Sequence, residues 1–325
     1  MKPTGIIIAL ALFVGITLPL FLSNTAPSPQ ITTIRIAIST TPLSAPLIIA
    51  KQQGLFNRHN VNVELQPLPG GHLCFDAMIN GDVDLATSSE SVVMFNSFTR
   101  QDFRLLASFA ESDNDLKLLT LHTDKNRNIA QLKHKKVGIV KASASEFFTD
   151  SLFIVTGQED IEFKKIYMSA QALGPALLAK EVDAIAVWEP YGYRLFEQAG
   201  EDIYQYPSKG TYNLSFNLVS NEINSSLHFE QHVNILKALN EAQAFIIQSP
   251  ELAKQIVSDY LNMSMAAVEW SWNDYIFRLS LNNSLLSMLQ TQARWAVASE
   301  AVSKQPLPDF RLYLNDAALV KAINH

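Results

Sequence analysis

The sequence predicts an α/β protein of two lobes facing each other across a cleft, each lobe a mainly parallel sheet flanked by helices. Three observations lead there. Short apolar or alternating runs are interleaved with helix-like runs of about ten residues, the pattern of right-handed βαβ units. A length of 325 residues suits about two domains, with material for a core in each. One strand-to-helix corner also occurs twice, as Gly81-Asp-Val-Asp-Leu-Ala-Thr-Ser-Ser-Glu90 and Lys180-Glu-Val-Asp-Ala-Ile-Ala-Val-Trp-Glu189. Val83, Asp84 and Glu90 of the first are matched by Val182, Asp183 and Glu189 of the second.

In chain order, residues 32–39 alternate toward a first strand, and a loop from Thr40 to Ser44 leaves it. A helix over about 45–53 closes on Gly54, which suits the position after a helix end. Residues 61–65 form the next strand, and Pro69-Gly-Gly-His72 a flexible turn into a helix ending near Asn80-Gly81. The first corner follows, then a helix over 90–98 and a strand near 103–107. Glu111-Ser-Asp-Asn-Asp115 is polar and reads as the first crossing between lobes. Strands at 116–121 and 136–140 precede Lys141 to Glu146, whose small residues supply a cap for a helix over 147–156. A strand at 163–167 and a helix at 169–180 lead to the second corner.

There Asp183 to Val187 is a buried strand ended by Trp188, and Glu189-Pro190 opens a helix. Proline suits the first helical position, and a carboxylate suits the positive helix end. A strand that delivers an aromatic and an acid to a helix start builds a small-ligand site; the plain alternative is a corner whose Trp fills core. The helix runs to about Gln198 and ends at Gly200. Ser208-Lys-Gly-Thr-Tyr212 is the return crossing, and 213–219 an alternating strand. Helices then read at 232–248, 251–261, 265–275 and 285–298, with an extended connection at 309–314 and a last helix at 316–323.

Composition excludes several classes. Hydrophobic residues make up 48% and charged ones 17%, which describes a folded protein. The net charge of −6, with no concentrated basic stretch, argues against nucleic-acid binding. Cys74 is the single cysteine, so no internal disulfide and no cysteine-rich metal site is expected, and it reads as a small core residue. The histidines have no metal-ligand spacing, and no serine–histidine–acid set, P-loop or HExxH string appears. Neither a catalytic residue, a cofactor nor a metal is expected.

Residues 1–26 carry Lys2 as their one charge, then an apolar run from Ile6 to Leu22 and small residues to Ala26. That order is an export signal. Pro27 disfavours cleavage after Ala26, and seventeen residues is the short limit for a membrane span, so an uncleaved anchor through Ile6 to Leu22 is the alternative. Either way a periplasmic or other extracytoplasmic location is expected for the remainder.

Taken in order, Pro46-Leu-Ile-Ile-Ala-Lys51, Gly54-Leu-Phe56, Val61-Asn-Val-Glu64, Pro69-Gly-Gly71, Gly81-Asp-Val-Asp84, Lys136-Val-Gly138, Asp183-Ala-Ile-Ala-Val-Trp-Glu-Pro-Tyr191, Ser249-Pro-Glu-Leu-Ala253 and Gln292-Ala-Arg-Trp295 resemble a family. It is the substrate-binding proteins of ABC importers for nitrate, sulfonates, taurine and thiamine-pyrimidine precursors. The resemblance implies the type II periplasmic-binding-protein fold with two hinge crossings. Lobe 1 would be discontinuous, 31–112 plus 212–325, and lobe 2 would be 113–211. It implies one small-molecule ligand held between lobes and passed to an ABC transporter permease; a monomer is expected.

In such an architecture, ligand groups come from strand-end loops and helix N-termini, which point N–H groups and partial positive charge inward. The candidates are Ser39, Thr40 and Thr41 after the first strand, and Gly71 and His72 at the glycine turn. Ser88, Ser89 and Glu90 join them from the first corner, and Ser143, Ala144 and Ser145 from their counterpart in lobe 2. Trp188, Glu189 and Tyr191 come from the second corner and Tyr212 from the return crossing. Turn chemistry and N-capping are the plain alternatives for the hydroxyl residues. These loops hold no arginine, and Lys141 and His72 are their only cationic candidates, which disfavours a multiply charged phosphate. Glu90, Glu189 and the Trp188 face suit an amine or protonated ring nitrogen, as in a zwitterion such as taurine, better than nitrate. Two rivals remain: a membrane-anchored sensing module acting through a partner receptor, and a pyrimidine-synthase-like enzyme, disfavoured because its cysteine-rich motif is absent.

Overall fold

The computed structural model describes residues 33–122, 128–221 and 228–324. The export signal or anchor expected over 1–26 lies outside these residues. Among the described residues no helix is long and apolar enough to cross a membrane.

The first half of the chain runs β1 (Thr33–Ser39), α1 (Ala45–Gln52), α2 (Leu55–Arg58), β2 (Asn62–Leu68), α3 (Gly71–Ile79), β3 (Leu85–Ser89), α4 (Glu90–Ser97) and β4 (Phe103–Ser112). It continues through β5 (Leu116–Leu121), β6 (Lys136–Ile139), α5 (Ala144–Val155), β7 (Lys164–Tyr167), α6 (Ala170–Leu178), β8 (Ala184–Trp188), α7 (Tyr191–Ala199) and β9 (Ile203–Gln205). After β10 (Leu214–Asn221) come α8 (Phe229–Gln248), α9 (Pro250–Leu261), α10 (Met265–Trp272), β11 (Tyr275–Ile276), α11 (Asn283–Ala298) and α12 (Ala317–Ile323).

Two sheets result, with strand orders β11-β4-β10-β3-β1-β2 and β7-β6-β8-β5-β9. Each contains a parallel triplet, β2-β1-β3 in one and β7-β6-β8 in the other. An antiparallel strand then follows beside the third member: β10 against β3, and β5 against β8. The sheets are therefore mixed and not mainly parallel. The reason is the crossings: β5 and β10 begin just after the chain changes sheets, so they enter their sheet from the opposite end.

The elements form where local chemistry favours them. Ile34, Ile36 and Ile38 of β1 are fully buried, as befits a strand inside a sheet covered on both faces. The Thr41 side chain caps the turn before α1, and Gly54, at φ +66°, ends it in the left-handed region glycine tolerates. One apolar cluster continues from the first sheet (Ile36, Phe109, Leu218) into the second (Leu118, Val137, Ile139). Each such side chain contributes about 1.5–3 kcal/mol on full burial.

Several expectations need correction. The Pro69–His72 stretch is not a free turn, because α3 already starts at Gly71. The first crossing is shorter than expected, because β4 runs through Ser112. α10 stops at Trp272, and Tyr275 and Ile276 instead pair with Ser112 and Glu111, so backbone pairing overrides a helical pattern. Residues 310–313 form a 3-10 turn and not an extended link, started by the Asp309 carboxylate accepting from the Arg311 amide at 3.2 Å. Pro190 stands just before α7 and not in its first turn. The short α2, β9 and β11 have no sequence signature, since elements of two to four residues carry no measurable periodicity.

Candidate functional site

A pocket of about 40 Å³ lies between the sheets. The first sheet contributes Ser39 and Thr41 after β1, Gly71 and His72 in the first turn of α3, and Ser89 at the end of β3. From the second come Ser143 and Ala144 at the start of α5 and Trp188 at the end of β8. These eight sequence candidates thus share one cavity at the carboxyl ends of the parallel strands, where ligands bind in open α/β sheets. A wider hollow of about 320 Å³ around Lys135, Lys180 and Asp183 sits at the opposite, amino ends of β6 and β8.

Three helices of eight or more residues begin at the pocket, with Gly71, Ser89 and Ser143 at their starts, so their N–H dipoles give the wall an anion-attracting side. Gly71 is required there: a Cβ would come within 3.0 Å of the Ser88 Cα and 3.3 Å of the Phe216 ring. The His72 and Trp188 rings meet edge to face, 6.4 Å between centroids, joining the two sheets across the cleft. Burial holds the His72 imidazole below its usual range, partly opposed by Asp76, so it is neutral near pH 7.

Seven candidates do not reach the cavity. Thr40 gives its amide to the Leu68 carbonyl. Ser88 donates to the Gly71 carbonyl at 3.2 Å and Ser145 to the Ala186 carbonyl at 2.7 Å, both as buried braces. Tyr191 stands edge-on behind Trp188 at 6.2 Å. Glu90 is wholly buried behind the wall: Tyr212 and Gln292 donate to Oε1, the latter at 2.9 Å, and Ser215 gives its amide and hydroxyl to Oε2 at 2.9 and 3.2 Å. Tyr212 is therefore its partner and does not line the pocket. Glu189, 1% exposed, accepts the Tyr193 amide at 2.9 Å and the Trp270 indole N–H at 2.8 Å. It caps α7 and ties it to α10. Burial raises both carboxyls above the usual range, and their hydrogen bonds offset this in part. The two acids invoked for an amine thus have protein partners already.

Leu43, Val92, Leu214, Phe216 and Asp115 line the pocket and were not singled out from sequence. The four apolar ones carry no local signal that separates wall from core. Asp115 had one, since it ends the polar crossing. It is 2% exposed, accepts from the Tyr275 hydroxyl at 2.8 Å, and burial pushes its pKa up to about 7.

Two mixed sheets joined by crossings, with a pocket of mixed polar and apolar lining between them at strand ends, define the solute-binding-protein fold. Solved structures share it. The alkanesulfonate-binding protein SsuA from Xanthomonas axonopodis pv. citri, bound to MOPS, superposes with a TM-score of 0.77 at 17% identity, covering 88% of this chain and 98% of its own. The periplasmic aliphatic sulphonate binding protein SsuA from Escherichia coli gives 0.74 at 16%, covering 87% and 92%. The periplasmic nitrate-binding protein NrtA from Synechocystis PCC 6803 gives 0.72 at 14%, covering 91% and 89%. No curated protein sequence matches the chain. The NMT1/THI5-like family matches residues 41–253, more than half of the chain, and the chain belongs to that family.

Proposed function

We propose that this protein captures a small polar organic solute, of aminosulfonate or pyrimidine type, between its sheets and delivers it to an ABC importer permease. The observation that carries this reading is the composition of the pocket: three helix starts, an indole and a buried acid converge from both sheets on one small cavity. A solute touching both walls favours the closed arrangement by its differential affinity, and closure is what a permease reads. Micromolar capture needs about −8 kcal/mol, within reach of a few charge-assisted hydrogen bonds and one aromatic contact. The lobes in this reading are 31–112 plus 212–325 and 113–211; the strands of the first sheet all come from the former segments and those of the second from the latter. The relatives named as periplasmic binding proteins support export, and a mature N-terminus found beyond residue 26 would establish cleavage of the leader.

The test is a thermal-shift screen with aminosulfonates, simple sulfonates, pyrimidines and nitrate, followed by calorimetry. Stoichiometric binding, with the solute recovered unchanged, is expected. Stabilisation by nitrate alone defeats the organic-solute reading. For the best ligand, Trp188→Ala lowers affinity tenfold or more, about 1.4 kcal/mol, without lowering the unfolding temperature as far as loss of a core residue does.

A further inference from the structure

Asp115 is the one acidic side chain lining the pocket, and His72 the one basic side chain. Its Oδ1 accepts from the Tyr275 hydroxyl, whereas no described residue donates a hydrogen bond to Oδ2. The groups around it do not neutralise it. Lys117, on β5, is attracted to it, but that one positive charge is shared with Glu189 and Asp274, and the ammonium donates to the Asn114 carbonyl. Glu189 at the second corner and Asp274 beside β11 add negative potential. His72, on α3, completes the titratable groups of the pocket wall.

A buried carboxylate with no described cation in ion-pair contact is costly, and a pocket walled by three helix N-termini favours an anion. One ligand satisfies both walls: a zwitterion. Building on the solute-capture reading, we infer that Asp115 is the specificity residue that receives the ammonium or protonated ring nitrogen of the ligand, whose anionic end lies over the helix starts. A purely anionic ligand would meet the Asp115 carboxylate as a like charge.

The two cases have opposite pH dependences. A cation prefers ionised Asp115, so binding releases a proton and affinity rises with pH until the empty-site carboxyl has titrated, at about 7. A simple anion prefers the protonated form and weakens over the same range. The experiment is calorimetry at pH 5.5 and 7.5 with taurine, an aminomethyl-pyrimidine, ethanesulfonate and nitrate, on the wild-type protein, Asp115→Asn and Tyr275→Phe. Expected are an affinity for taurine or the pyrimidine that rises roughly tenfold or more between the two pH values, its loss of pH dependence in Asp115→Asn together with a tenfold or greater weakening, and little change for ethanesulfonate in that variant. Tyr275→Phe keeps the carboxyl and moves the rise to higher pH, a readout that survives if Asp115→Asn folds poorly. Binding of ethanesulfonate or nitrate alone, weakening as the pH rises, overturns the role of Asp115 and leaves solute capture standing. Equal weakening of all probes in Asp115→Asn also overturns it. No binding by any probe defeats both.

Discussion

Residues 81–90 and 180–189 are two versions of one piece of backbone, alike until the last residues of the strand and unlike after that. Gly81 and Lys180 both stand at positive φ, +81° and +57°. The residue after each turns back to a carbonyl in the preceding helix, Asp82 to Ala77 and Glu181 to Ala176, both at 2.9 Å. Val83 and Val182 are buried. Asp84 and Asp183 each donate the backbone amide to the carbonyl of a residue on the adjoining strand and accept that residue's amide on the side chain, from Arg35 at 2.7 Å and from Lys136 at 2.8 Å. Then they part. The first strand ends Thr87-Ser88-Ser89 and offers a helix start to the pocket; the second ends Ala186-Val187-Trp188 and offers an aromatic face. The matching residues build the frame and the differing ones build the site. Glu90 and Glu189, which match, belong to the frame.

That division can be broken in steps. The largest effect is Glu90→Ala, which strands the Tyr212 hydroxyl, the Ser215 amide and Gln292 in the interior. A loss of about 3–5 kcal/mol is expected in urea unfolding, from several buried donors left unsatisfied at once, with a smaller second-order effect on ligand affinity in the surviving folded fraction. If Glu90 instead contacts ligand, affinity collapses while stability holds.

Next is pH. Asp115, Glu90 and Glu189 all titrate above their unfolded values near pH 4. A raised folded-state value means stability is fully present below the unfolded pKa and is lost as pH rises through the folded one. The unfolding free energy should therefore fall between about pH 4.5 and 7.5, by about 2–4 kcal/mol from Asp115, with Glu90 and Glu189 acting in the same direction. Asp102, Asp274 and Asp309 are held low and act in the opposite sense, at more acid pH. Replacing Asp115 with Asn flattens the fall.

Glu189→Ala should cost less than Glu90→Ala, about 2–3 kcal/mol, because it orphans two donors. The smallest test compares the turns. Nothing lies within 4 Å of a Cβ placed on Gly81, so Gly81→Ala costs only the backbone preference, about 1 kcal/mol, and Lys180→Gly returns a similar amount. Equal signs for both substitutions would break the equivalence of the corners.

Much of this was legible in one dimension. The strand-helix alternation, the duplicated corner and the two crossings follow from periodicity and turn residues, because these are local consequences of burial and backbone preference. Eight pocket residues were legible for the same reason: they end strands or start helices. Position on the chain could not tell a residue facing the cavity from its neighbour facing inward. Ser89 and Glu90 are adjacent, yet one lines the pocket and the other sits behind it.

The sequence by itself determined the frame, since hydrophobic pattern, glycine turns and caps act over a few residues. Only the tertiary structure decided the occupant of each acid. Glu90 meets Ser215 and Gln292, 125 and 202 positions away, and Glu189 meets Trp270, 81 positions away. Asp115 lines the pocket with Tyr275, 160 positions away, on one oxygen. Which carboxylate is satisfied within the protein and which is left for a ligand is set by partners that the chain brings together only when both sheets are built.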